Sequence, residues 1–386
     1  MSIAYSKDSV VPFNVPYVSR NEADHIREAL ASGKVDGDGP FADRATTLLR
    51  KATGAGAALL APSCTHALEI AALVLELRPG DEVIMPSFTF PSTANAFALR
   101  GAVPVFVDCR PDTLNLDERL LEPAITERTR AVVVMHYAGV SCEMDEIRRV
   151  ASRHGLPIVE DNAHGLAASY HGSALGTFGV LATQSFHATK NIQCGEGGAL
   201  LVNDPRLLDG AEIARDKGTN RCQYLRGRVE KYRWIELGSS YLLSEVLAAY
   251  LTAQLEDMPR IQERRHAVWN RYHDRLADWA ERHRIARPAV PPGCEHPAHL
   301  YYLLLPDQPS RDAVLAHLNA HGVQATFHYQ PLHTSSAGRK YGRSAPDGCP
   351  VTVSAADRLI RLPLFAGMTT AETDRVVDAL LSYRPA

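Results

Sequence analysis

Along the first two-thirds of the chain, short apolar runs alternate with stretches in which apolar and polar positions recur at helical spacing. Ala57–Leu60, Glu82–Met85, Val103–Val107, Ala131–Met135, Pro157–Glu160, Leu181–Phe186 and Gly198–Val202 are mostly apolar and too short for helices. That is the pattern of strands covered on both faces. Between them, Thr65–Leu75, Pro91–Leu99 and Met144–His154 predict helices. Alternation of this kind predicts an α/β architecture, a mostly parallel sheet with helices packed on it.

The pattern then changes. A charged helical signal runs from about Leu242 to Trp279, interrupted near Pro259, and a proline-rich stretch follows at Arg287–Pro297. Beyond it the spacing predicts a strand at Leu300–Leu305, a helix at Arg311–His321, a strand at Gln324–Tyr329 and a terminal helix at Thr370–Tyr383. The expected division is residues 1–265 for an N-terminal segment and a large α/β domain, and 266–386 for a small α+β domain. A chain of 386 residues is long enough to bury two such cores.

Bulk properties narrow the function by exclusion. Hydrophobic content of 45% and charged content of 22% are those of an ordinary globular protein. A formal charge of −3 gives no electrostatic reason to expect nucleic acid or a membrane as partner. No apolar run approaches a bilayer span, and the opening MSIAYSKDSVVPF has neither the basic nor the apolar region of a leader, so a cytoplasmic protein is expected. The seven cysteines are scattered without a CxxC pair, which fits reduced thiols better than a disulfide frame or a zinc cluster.

Four segments carry candidate chemistry. In Ser185-Phe186-His187-Ala188-Thr189-Lys190-Asn191, followed by the glycine-rich Gly195–Gly198, a strand is expected to end at a single lysine. A partly desolvated lysine there can lose its proton and condense with an aldehyde; a surface lysine in a turn is the plainer alternative. In Ile158–His164, Asp161 stands where an apolar strand stops, at the sheet edge where ligands gather. A carboxylate there can keep a pyridine nitrogen protonated, or it can simply cap a helix. Leu60–Leu68 places small and hydroxyl residues, Cys64 and Thr65 among them, between a strand and a helix, where free amides can hold a phosphate. Ser185 could add a hydroxyl, and an ordinary Ser/Thr cap is again the alternative. In Pro86–Thr93, either Phe88 or Phe90 could stack on a flat ring, or both could be core.

Four such elements in this order resemble the DegT/DnrJ/EryC1/StrS family of sugar aminotransferases. The resemblance extends to Ser32-Gly33-Lys34, Gly37–Pro40, His136–Gly139 and Phe327–His333, and so covers nearly the whole chain. Pro79–Phe90 and Lys217-Gly218-Thr219-Asn220 look closest to the TDP-4-keto-6-deoxyglucose 4-aminotransferases. The resemblance implies fold type I, the aspartate aminotransferase-like fold, in a homodimer whose active sites are shared across the interface. Pyridoxal 5′-phosphate would be the cofactor, with pyridoxamine phosphate as its amine-carrying form. Lys190 would attach it covalently, Asp161 would pair with the ring nitrogen, Phe90 would stack on the ring and His164 would bond near the ring oxygen. Cys64, Thr65 and Ser185 would hold the phosphate. Substrate contacts would fall among Lys34, His136, Tyr137, Asn191, Thr219, Asn220, Lys231, Tyr232, His328 and His333. Many relatives place a partner-subunit asparagine on the phosphate within Gly-x-Asn-x-Arg. Here the stretch reads Gly238-Ser239-Ser240-Tyr241-Leu242, so Ser240 takes that position and the arginine is missing.

The implied reaction moves an amino group from L-glutamate to C4 of a TDP-4-keto-6-deoxy sugar, giving 2-oxoglutarate and a 4-amino-4,6-dideoxy product of gluco or galacto form. A C3-aminotransferase and a non-catalytic protein on the same fold are the alternatives. Lys190 argues against the relatives that carry histidine there and dehydrate the sugar. Gly37-Asp38-Gly39 lacks the third glycine of a dinucleotide fingerprint, and His328 with His333 lacks further zinc ligands. The basic cluster Arg226, Arg228, Lys231 and Arg233 reads as a solvated loop or, more sharply, as a diphosphate contact.

Overall fold

The computed structural model describes residues 10–384; most of the opening segment read above lies outside the described residues. The strands in chain order are β1 (Ala57–Ala61), β2 (Glu82–Pro86), β3 (Val103–Val107), β4 (Thr129–Met135), β5 (Ile158–Asp161), β6 (Leu181–Ser185), β7 (Gly198–Val202), β8 (Tyr301–Leu304), β9 (Arg343–Ser344) and β10 (Leu359–Leu362). Three further two-residue strands form a small separate sheet. Eight strands make the central sheet in the order β1-β7-β6-β5-β4-β2-β3-β9. Only β7 runs against its neighbours, pairing antiparallel with both β1 and β6.

Parallel strands are covered by helices on both faces, which is why their sequences are nearly unbroken apolar runs. One face packs Leu68, Ala71, Met85 and Phe97 into a core, and the other packs Ile84, Val105, Val132 and Ile147. The predicted helices are present as Cys64–Val74, Pro91–Ala98 and Met144–Arg153. The break expected near Pro259 is also there: one helix ends at Glu256 and the next, Met258–Arg275, has the proline in its first turn.

That second helix runs through residue 265 without interruption. Its Ile261 belongs to the core around Leu60 and Leu201, whereas Trp269 and Tyr272 pack with Tyr301, Leu303, Val314 and Leu380. The C-terminal part also returns to the central sheet, where β9 adds a parallel edge strand beside β3.

One predicted strand is corrected. Gln324–Tyr329 is extended but forms only single bridges, Val323 to Val11 and Thr326 to Arg361. The partner of β8 is β10, antiparallel over four residue pairs from Tyr301–Leu362 to Leu304–Leu359. With β8 edge-paired by β10, Gln324–Tyr329 is left to carry side chains toward the site.

Candidate active site

The parallel register brings the carboxyl ends of the strands to one edge: Met135 stands beside Asp161, and Asp161 beside Thr183. A cavity of about 980 Å³ opens there, lined by Cys64, Thr65, Phe90, Asp161, His164 and Lys190, with Ser185 and His328 also in its wall. The four sequence segments, far apart along the chain, therefore meet.

Lys190 stands not at the strand end but in a tight turn five residues on, held by its own amide to the His187 carbonyl at 2.8 Å. Burial brings its amine pKa from the usual 10.5 down to about 8. Asp161 opposes that shift and Arg361 adds to it. The neighbouring Cys64 thiol is pushed far up by burial, stays protonated and so lends Lys190 no charge.

The Asp161 carboxylate is buried, and its pKa is raised mainly for that reason. Two donors oppose the shift: the Thr93 hydroxyl at 2.7 Å and the Ala163 amide at 3.2 Å. Thr93 is itself fixed by Thr89 at 2.8 Å. His164 is buried and its pKa lies well below the usual value, through burial first and then the charge of Lys190. In its neutral form it accepts from the Ala138 amide at 3.3 Å. Its ring lies 4.1 Å from His299 and nearly parallel to Tyr329.

The helix Cys64–Val74 begins at the cavity. Ser63 caps it, accepting from the His66 amide at 3.1 Å. The first-turn amides of Cys64 and Thr65 have no acceptor within the helix, so they are free for an anion. Gly198 makes this approach possible, because a Cβ there would lie 2.3 Å from the Ser63 carbonyl carbon and 2.4 Å from the Cys64 nitrogen. The Thr65 hydroxyl bonds Ser92 at 2.7 Å. Phe90 is 56% exposed although it lines the cavity, whereas Phe88 is core at 1%. The ring available for stacking is therefore Phe90.

The substrate candidates divide. His328 lines the cavity, and Tyr137 lies behind it, buried, with its hydroxyl 3.0 Å from His328 Nδ1. His136 is corrected: it is fully buried, bonded to Glu160 at 2.9 Å, and accepts from the Cys142 amide. It braces Glu160, which takes the amides of Gly176, Phe178 and Gly179 and so holds the strand that ends in Asp161. Asn191 is likewise committed, donating to Gln262 and Pro297 and bonding His299. His333 Nδ1 is tied to Ser87 at 2.7 Å.

Lys34, Thr219, Asn220, Lys231, Tyr232 and Ser240 are absent from the cavity wall. Lys34 pairs with Asp36, Thr219 donates to the Asp216 carbonyl, and Asn220 accepts from the Arg233 amide. Lys231, Tyr232 and Ser240 are exposed. Arg226 pairs with Glu212, and Arg228 lies near Asp209. Sequence reasoning did not single out Thr93, His299 or Arg361. The signal for Arg361 was a lone charge inside the apolar run Leu359–Leu364.

Among the described residues, no group of three or more His, Cys, Asp or Glu side chains could hold a metal ion, and no helix is long and apolar enough to cross a membrane. The donor set fits pyridoxal phosphate instead: an amine for its aldehyde, free amides and hydroxyls for its phosphate. The buried Asp161, which lacks a full counter-charge, fits the ring nitrogen. Together with the sheet order, this defines a fold type I pyridoxal-phosphate enzyme. Residues 16–381 match the DegT/DnrJ/EryC1/StrS aminotransferase family, and the chain belongs to that family. It is similar to the aminotransferase TlmJ from Streptoalloteichus hindustanus, with 31% identity over 96% of this chain and 98% of that one and a TM-score of 0.88. S. venezuelae DesV is also 31% identical over 96% and 98% of the chains, with a TM-score of 0.86. Spr1654 from Streptococcus pneumoniae, in its PLP form, is 26% identical over 96% and 97%, with a TM-score of 0.87.

Proposed function

We propose that this chain transfers an amino group from L-glutamate to the C4 ketone of TDP-4-keto-6-deoxyglucose. One observation carries the reading: a lysine whose pKa is brought to about 8 faces the same cavity as a buried carboxylate and a free helix N-terminus. Family membership makes the chain an aminotransferase. Its cofactor is pyridoxal phosphate, the group that the PLP form of Spr1654 carries.

When bound, the cofactor supplies an electron sink that takes up the charge left when a proton leaves the donor's α-carbon. The chain's own groups do the rest. The amides of Cys64 and Thr65, with the hydroxyls of Thr65 and Ser185, would hold the phosphate. Asp161, oriented by Thr93, would keep the ring nitrogen protonated. Phe90 would stack on the ring, and neutral His164 would serve the ring oxygen. Lys190 Nζ takes the proton from the α-carbon of glutamate in the first half-reaction and delivers one to C4 of the sugar in the second. A pKa near 8 leaves a useful fraction of free base near neutral pH, where a positioned base is worth about 10²–10⁴ in rate.

The chain acts in this reading as a homodimer. Leu225, Trp234, Ile235 and Leu237 are 50–75% exposed in one segment, which a second copy would cover. Ser240, exposed in its own chain, would then reach the partner's site. The test is NMR of the product formed from glutamate and TDP-4-keto-6-deoxyglucose, with the 3-keto isomer in parallel. Amination at C3, or of neither sugar, ends the proposal.

A further inference from the structure

His299 stands two residues before β8, buried, with its backbone carbonyl held by the Arg265 guanidinium. Its tautomer follows from its partners. The side-chain nitrogen of Asn191 donates to the Pro297 carbonyl at 2.7 Å, and a carbonyl only accepts, so the other end of that amide is oxygen. This oxygen lies 2.8 Å from His299 Nδ1, which must therefore carry the proton. Nε2 is left with a bare lone pair and, among the described residues, without a partner. His164, stacked on it at 4.1 Å, has the opposite tautomer: its Nδ1 accepts from the Ala138 amide, so its Nε2 carries the proton. The cavity wall thus holds one imidazole that donates and one that accepts. Burial keeps His299 neutral, and Lys190, first among its neighbours, Arg265, Arg361 and His328 act in the same direction.

We propose that His299 is a positioning residue for Lys190, its Nε2 accepting an N–H of the lysine amine whenever that amine is free of the cofactor. This rests on the reading above, in which Lys190 Nζ carries the proton between the donor's α-carbon and C4 of the sugar. The ammonium formed by taking that proton has three N–H donors in a buried site, and those it is not delivering need acceptors. Asp161 is already engaged by Thr93 and Ala163 and, in that reading, serves the ring nitrogen. His164 offers a donor there, not an acceptor. His299 offers the free lone pair, and its ring is tied by a hydrogen bond to Asn191, the residue that follows Lys190 in the chain. The lone pair therefore keeps a fixed relation to the Lys190 backbone while the flexible side chain moves.

The test uses the holoenzyme and its His299→Phe and His299→Gln variants, following each half-reaction by cofactor absorbance. Phenylalanine keeps the stack without a lone pair, and glutamine keeps an acceptor oxygen. In His299→Phe the rate constants of the glutamate and sugar half-reactions are expected to fall together, on the order of tenfold each, with KM within about threefold. His299→Gln should recover most of that loss. In cofactor-free protein, the pH at which an amine-reactive aldehyde half-modifies Lys190 should lie about one pH unit lower in His299→Phe than in the wild type, because the lone pair favours the ammonium. A pocket that had merely loosened would admit water and move it the other way, toward 10.5. An upward or absent shift, a loss confined to one half-reaction, or a glutamine variant as slow as the phenylalanine one would overturn the proposal. Should His299→Phe not fold, nitrogen NMR of the wild type with isotope-labelled histidine decides. Conversion to the amine-carrying cofactor form frees Lys190 and should move upfield the Nε2 signal that is missing from His299→Gln; an unmoved signal refutes the contact. If the wild type aminates no keto sugar, the function proposed above fails, yet the glutamate half-reaction and the Lys190 titration still decide the role of His299.

Discussion

At the scale of single residues, the site depends on where charge is allowed. Lys190→Ala should abolish turnover and remove the visible absorption of the covalently held cofactor. In cofactor-free protein, an amine-reactive aldehyde should modify Lys190 half-maximally near pH 8, against about 10.5 for an exposed lysine. The sign follows from burial, which disfavours the ammonium, so reactivity rises with pH through that value. Asp161→Asn should weaken cofactor retention about 10²-fold by leaving the ring nitrogen without its counter-charge, read by equilibrium dialysis. Lys190 and Asp161 were legible in the sequence because Asp161 ends an apolar run, Lys190 follows one by a few residues, and residue type limits what either can do there. Thr93, His299 and Arg361 were not: Thr93 reaches Asp161 from a helix, and His299 and Arg361 reach the cavity from a loop and a strand, and no local pattern connects the three.

At the scale of elements, two devices fix the geometry. Glu82 on β2 is 1% exposed and accepts from Thr126, Arg128 and Arg343, so it ties the edge strand β9 to the large sheet. Burial works against its carboxylate, yet Arg343, Thr126 and Arg128 hold the pKa down at about 2, below the usual 4.5. A depressed acid contributes stability above pH 4.5 and loses it as pH falls toward 2. Glu82→Gln should therefore cost about 2 kcal/mol at pH 7, after discounting the solvent-exposed Arg128, and little near pH 2, as read by urea unfolding. Gly198 is the second device. Gly198→Ala must displace the Ser63–Cys64 backbone, and cofactor affinity should fall at least tenfold while the far-UV spectrum is kept. Strand and helix positions in the first two-thirds were readable because burial on both faces leaves a continuous apolar signature. The Gln324–Tyr329 strand was misread because alternation marks any extended segment. Pairing was settled by β10, which pairs with β8 and meets this segment at a single residue pair, Thr326 with Arg361.

At the scale of the whole molecule, the exposed apolar side chains of Leu225, Trp234, Ile235 and Leu237 predict that Trp234→Asp yields a monomer with little activity, measured by analytical ultracentrifugation beside turnover. An unchanged dimer would place the interface elsewhere. The amino-acid sequence by itself determined the rhythm of strands and helices in the first two-thirds of the chain, an aspartate at a strand end and a lysine in the turn beyond another. These follow from local periodicity and side-chain chemistry, which no packing changes. Tertiary structure alone decided that Lys190 is desolvated enough to titrate near 8, that His136 is a brace inside the protein, that Phe90 and not Phe88 faces the cavity, and that Arg361 stands there without a counter-ion. Desolvation, field and access are sums over neighbours brought together from distant parts of the chain, and those sums exist only once it has folded.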